Sequence, residues 1–328
     1  RGPKQMRSVG VGRFALGIWA AGAMLVGCGG SQPPGAMPQT NSQGREIAKP
    51  SSAMPTYKVS GPLLYVADLS AEYNHVDVYR AAAKDPTSLA TISNKADGPF
   101  GACLDRQGTL YVTNEPGSGG PGWVSEYPIG KTAPSKIITD GINAPGFCAI
   151  DSRGNLWVTN IYGRNVTEYL YGSKKPHIAI TSGLAYPIGI AIDRSGTLYV
   201  GNGFSASQQN VEVYAPGSKS PSRTITNGIT SPSGITVDSS GTLYVANQFE
   251  SNVEEYRSGQ NTPFQAITKS VSGPTGVTVS KKGVLYVANL GNHSVSEFAL
   301  GSLIPLKRQI SKGLWDPAGV AYYPPLLP

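Results

Sequence analysis

The sequence predicts an all-β chain folded as a six-bladed β-propeller of four-stranded antiparallel blades, with the ring closed by the C-terminal strand joining the N-terminal blade. Three observations predict it. A motif of the form Gly-Thr-Leu-Tyr-Val-Ala-Asn (residues 241–247) returns along most of the chain, with its aromatic at Tyr65, Tyr111, Trp157, Tyr199, Tyr244 and Tyr286. The spacings of 46, 46, 42, 45 and 42 residues match the repeat length of roughly 40–50 residues that marks propeller blades. A second series, Pro-x-Gly or Pro-Gly, opens at Pro99, Pro145, Pro187, Pro232, Pro274 and Pro317, out of phase with the first. The chain therefore starts on a second strand, Leu63–Val66, and ends on a first strand, Ala318–Tyr322. Docking the last beside the first closes the ring and removes free sheet edges.

The repeat around Pro232 shows the reasoning for each element. Ile235–Val237 is β-branched and apolar at alternate positions, as an inner strand requires. Asp238-Ser239-Ser240-Gly241 is a turn, with an acceptor side chain at its first position and glycine at its fourth. Leu243–Val245 then runs apolar without alternation, as a strand covered on both faces does. Val253–Tyr256 reads as a third strand and Phe264–Ile267 as the fourth. In the first strands one parity carries Ile190, Ile235 and Val277, while the other carries the smaller Cys103, Ala149, Ala191, Thr236, Thr278 and Ala321. Crowding near a central axis explains that size difference.

This pattern resembles the NHL-repeat propellers and, more loosely, the gluconolactonase-like (SMP-30 type) proteins and streptogramin lyases. The resemblance covers roughly residues 62–323 and implies architecture. One propeller hosts many functions, so it implies little chemistry.

Residues 1–60 read differently. Arg7 and Arg13 precede an apolar run from Phe14 to Gly27, ending Leu25-Val26-Gly27-Cys28. A basic start, a short apolar stretch and small residues before a cut describe a secretory signal, and the ending resembles the bacterial lipobox. The reading is a signal peptide over residues 1–27 (Met6 as start), lipidation at Cys28, and a Pro/Ser/Gly/Gln-rich tether over residues 28–60. Such a tether has a random-coil span on the order of 30 Å. The propeller follows over residues 61–328. The formal charge of +7 includes Arg1, Lys4, Arg7 and Arg13, leaving 7 − 4 = +3 after cleavage. With no run of Lys or Arg, the sequence argues against a nucleic-acid partner. A monomer in the bacterial cell envelope, facing the periplasm or exterior and held to the membrane only by its lipid, is expected.

Candidate site residues come from the places where blades differ. From the second-strand aromatic to the third-strand valine the gap is 9 residues in blades three, five and six, but 11, 13 and 12 in blades one, two and four. Those loops share a face with the connections between blades, where Trp123, Tyr186 and Trp315 are candidates for ligand binding. Asp97, Asn143 and Asp316 stand just before the Pro-x-Gly motifs of consecutive blades. Two carboxylates and an amide suit Ca²⁺ or another divalent cation, and the gluconolactonase-like resemblance implies such a metal. Asp and Asn before Pro are also ordinary turn residues. His75 and His293 both fall where other blades have Asn before the third-strand valine, and Glu72, His75 and His293 are the weak catalytic set that the lyase resemblance implies. Cys103 and Cys148 lie in adjacent first strands with registers one apart, pointing toward each other across two blades. They read either as a disulfide, as export would favour, or as two buried thiols.

Three functional readings follow, the third of them a mainly structural envelope protein. In the first, the propeller binds a protein, peptide or small molecule on its loop face and carries no chemistry of its own. In the second, a metal-dependent hydrolase, lactonase or lyase works at the channel mouth.

Overall fold

The structure is a computed structural model. It describes residues 56–326 except 71–73, 82, 117–119 and 206–207. The signal peptide, Cys28 and the tether to residue 55 lie outside the described residues, as does Glu72.

Six four-stranded antiparallel sheets make up the domain. Blade one is built of Pro317–Tyr323, Leu63–Asp68, His75–Arg80 and Ala90–Ile92, in that spatial order. The other five blades follow in chain order with inner strands starting at Pro99, Pro145, Pro187, Pro232 and Pro274. Blade one thus takes its inner strand from the C-terminus, with Tyr65 paired to Ala321 and Val66 to Val320. The out-of-phase series in the sequence has this physical meaning: the ring closes by hydrogen bonds inside a sheet.

The core consists of six apolar layers between neighbouring blades, each drawing side chains from two sheets. Successive second-strand residues serve opposite layers: Tyr65 packs toward blade two and Leu64 toward blade six. The unbroken Leu-Tyr-Val run follows from this, because both sheet faces are interior. All of Leu243–Asn247 is buried, and full burial of each large apolar side chain contributes about 1.5–3 kcal/mol.

The glycine of each Pro-x-Gly marks where the blades come closest. A Cβ on Gly234 would sit 2.6 Å from the Thr275 carbonyl oxygen and 2.8 Å from the Gly276 Cα; on Gly319 it would sit 2.7 Å from the Phe100 oxygen. Gly101 meets Phe147, Gly146 meets Ile188, Gly189 meets Ser233 and Gly276 meets Ala318 in the same way. Six glycines, one per blade, let six backbones touch around the axis. Any side chain there would force main chain apart.

The hairpin turns form as their residues dictate. The Asp238 carboxylate accepts from the Ser240 and Thr242 amides at 2.8 and 2.9 Å, and Gly241 closes the turn at φ +84°. These turns and those between third and outer strands share one end of the ring, the turn face. The loops between second and third strands and the connections between blades share the other, the loop face.

Candidate functional site

On the loop face the Asn or Asp that ends each second strand holds the connection entering its blade. Asn114, Asn160, Asn202, Asn247 and Asn289 accept, through Oδ1, the backbone N–H of residues 97, 143, 185, 230 and 272 at 2.9–3.1 Å. Blade one has Asp68 in this role. Its carboxylate accepts from Trp315 N at 2.7 Å, Asp316 N at 3.1 Å and Ser70 N at 3.0 Å. The aspartate meets only donors, so it needs no amide of its own. Asn247, by contrast, also donates to the Gly228 carbonyl and the Asn252 Oδ1 at 2.8 and 2.9 Å.

This frame corrects the register assumed for Asp97, Asn143 and Asp316. Asp97 and Asn143 stand two residues before their prolines, a position Trp315 fills in blade one; Asp316 stands one residue before. The side chains have separate partners. Asp97 Oδ1 accepts from Asn74 Nδ2 at 3.3 Å, and Asp316 Oδ1 lies 3.9 Å from His293 Nδ1. Burial raises the Asp316 pKa, Asp68 adds to the rise and His293 opposes it. Among the described residues no three His, Cys, Asp or Glu side chains converge as a metal site would need.

The histidines also differ from the reading that paired them. His75 is buried at the start of its strand, with Nε2 3.0 Å from Asp77 Oδ2, and Asp77 also accepts from Tyr79 and Thr91 hydroxyls at 3.3 and 2.9 Å. His293 stands one repeat position earlier, matching Asn74, Arg164 and Ser251. All four take the left-handed conformation, with φ between +35° and +54°. Its Nδ1 bonds the Trp315 carbonyl across the gap between blades six and one. The two imidazoles therefore serve different structural purposes.

Of the aromatic candidates, Trp123 is half-buried: its indole N–H donates to the Lys95 carbonyl at 3.2 Å and to Ser125 Oγ at 3.0 Å. Trp315 is 54 % exposed on the loop face. Tyr186 is half-buried, with the Arg164 guanidinium 5.3 Å from its ring centroid and Arg164 Nη2 3.4 Å from its hydroxyl. The structure adds Tyr162 and Phe249, 55 % and 70 % exposed. They occupy the same offset in the short loops of blades three and five, two residues past the clamp asparagine. Attention to inserted loops missed them, although their equal offset was legible. The Tyr162 pKa is raised by burial, then by Glu115 and Tyr186, and burial also raises that of Glu115. The Arg164–Tyr186 contact joins blades three and four on the loop face.

At the loop-face end of the channel the glycine contacts narrow the ring, and Phe100 packs edge-on to Phe147 with centroids 5.3 Å apart. Below lies a cavity of about 110 Å³ lined by inner-strand residues, with Pro325 and Leu326 at its other end. Cys103 and Cys148 line it and form a disulfide between blades two and three, with a Cα–Cα distance of 5.7 Å.

These blades define an all-β, six-bladed propeller with a loop face offering aromatic and charged side chains. Residues 272–298, from the start of blade six's inner strand into its third strand, match the NHL repeat. The chain is a six-bladed β-propeller with one segment that matches the NHL repeat. A chain in the crystal structure of a nidogen/laminin complex shares the fold with a TM-score of 0.67 at 18% identity, over 80% of this chain and 98% of that one. A protein of unknown function from Bacteroides caccae does so with a TM-score of 0.62 at 12% identity, over 80% and 99%. No curated protein sequence matches the chain.

Proposed function

We propose that this protein is an exported, lipid-anchored propeller that binds a protein or extended peptide on its loop face and performs no chemistry there. The observation that carries the reading is the distribution of exposed side chains. Tyr162, Phe249 and Trp315 come from three different blades onto one face, with the Arg164–Tyr186 pair beside Tyr162. Tyr, Trp and Arg dominate the binding energy of protein interfaces. A small-molecule site would be a deep concave pocket, and the two cavities described, of about 110 and 620 Å³, belong to the channel and the turn face. The signal-like leader and the Cys28 motif support the envelope location, and the metal-dependent alternative gains no observation.

Selection of a random peptide library on the full-length protein tests the reading. Selected peptides should lose about tenfold or more in affinity, roughly 1.4 kcal/mol, on the Tyr162→Ala/Arg164→Ala variant or on Trp315→Ala. Peptides indifferent to both variants would place binding elsewhere and refute the proposal.

A further inference from the structure

The fold sorts charge between its two faces. In the turns that make up the turn face, the described residues include eleven Lys or Arg and five Asp, a net of +6. The connections of the loop face carry four Lys or Arg and five Asp or Glu, a net of −1. Four of the five turn-face aspartates, Asp105, Asp151, Asp193 and Asp238, spend carboxylate oxygens on their own turn amides; the fifth, Asp85, faces Lys312 Nζ at 3.5 Å and the Ser311 N–H. Arg106, Arg194, Lys281 and Lys282 are exposed, whereas Arg153 pairs with Asp151 and Glu168 and Arg257 lies over the Phe264 ring. Arg106, Arg194 and Lys281 occupy the same turn position in blades two, four and six and surround the channel mouth. With Ser239 and Tyr323–Leu326 they line a cup of about 620 Å³.

A second observation concerns the same face. The described chain begins there: Thr56 pairs with Lys131, and the Tyr57 N–H donates to the Gly130 carbonyl at 2.9 Å, in the third-to-outer turn of blade two. The first described residues thus lie on the basic side of the propeller.

We propose that the turn face is a docking surface for an anionic lipid bilayer, with Arg106, Arg194 and Lys281 at its centre, so that the loop face is presented away from the membrane. The orientation rests on the anchored reading of Cys28; the affinity for anionic lipid does not. Each basic residue brought near an anionic surface strengthens binding about fivefold, and salt screens the attraction. Docking through the turn face would hold the loop face in one presentation.

The test uses the chain from residue 28 onward carrying Cys28→Ser, without the apolar leader, cosedimented with vesicles of phosphatidylcholine alone or mixed with phosphatidylglycerol. It should bind the mixed vesicles at low salt, release at high salt, and ignore the neutral ones. The Arg106→Ala/Arg194→Ala/Lys281→Ala variant should lose about a hundredfold in partitioning, while Lys95→Ala/Lys269→Ala on the loop face should match the parent. Thermal melting verifies that each variant is folded. Failure to bind mixed vesicles, equal binding to neutral ones, or an unaffected triple variant would each overturn the proposal. So would tripolyphosphate or an oligonucleotide binding the cup while vesicles do not. Mass analysis of the membrane-extracted chain for acylated Cys28 tests the anchor separately, so either idea can fall alone.

Discussion

Exchanging the clamp residues of blades one and five should destabilise the protein in both directions, although each substitution only copies a residue used elsewhere in the ring. In Asn247→Asp the acceptor for the Thr230 N–H is kept, but the donor facing the Gly228 carbonyl and Asn252 Oδ1 becomes a lone pair. Asn247 is fully buried, so two hydrogen bonds are lost and a carboxylate is left against two oxygens. With about 1 kcal/mol net per bond and the desolvation of an unpaired charge added, the cost is about 3 kcal/mol or more. In Asp68→Asn an amide –NH₂ must face at least one of the three backbone donors now served by the carboxylate. Loss of charge-assisted bonds costs about 1.5–3 kcal/mol. For a domain of this size each kcal/mol lowers Tm by about 2–4 °C, so both variants should melt several degrees early. Urea unfolding followed by circular dichroism measures the difference directly. If either exchange changes stability by less than about 0.5 kcal/mol, donor–acceptor matching does not decide the residue at this position.

Two further outcomes follow from buried groups. Glu297 is fully buried, with Arg308 Nη2 at 3.1 Å; burial raises its pKa above 4.5 and Arg308 opposes the rise. A raised folded pKa means that this residue's contribution to stability is fully present below pH 4.5 and is lost as pH rises through the folded value. Glu297→Gln should therefore gain on the parent between pH 4.5 and neutrality, with the gap closing toward acid, in urea midpoints across that range; a pH-independent difference would contradict this. The Cys103–Cys148 disulfide closes a separation of 45 residues, worth up to about 4 kcal/mol by restricting the unfolded chain. Cys103→Ser/Cys148→Ser should unfold at lower denaturant by up to that amount, and a reductant should shift the parent but not the variant.

The sequence by itself determined the architecture, because each blade must state the same requirements again. Apolar runs at Leu64–Val66 or Leu243–Val245, Asp-x-x-Gly turns and a glycine after each opening proline are local necessities of a strand, a turn and a close backbone approach. Their period and phase even specified which two strands close the ring. Sites were less legible. His293 stands two residues before Val295 rather than one, and Asp316 one residue before its proline where Asp97 and Asn143 stand two, so both offsets were countable in the sequence. Which backbone N–H each clamp residue captures is visible only in three dimensions. Charge is the clearest case of what tertiary structure alone decided. Within the propeller the bases are scattered singly or in pairs, and no segment of it reads as basic. Antiparallel blades send alternate connections to opposite ends of the ring, so residues as far apart as Arg106 and Lys281 come to surround one cup, while the acids of the same turns are consumed by their own backbone amides.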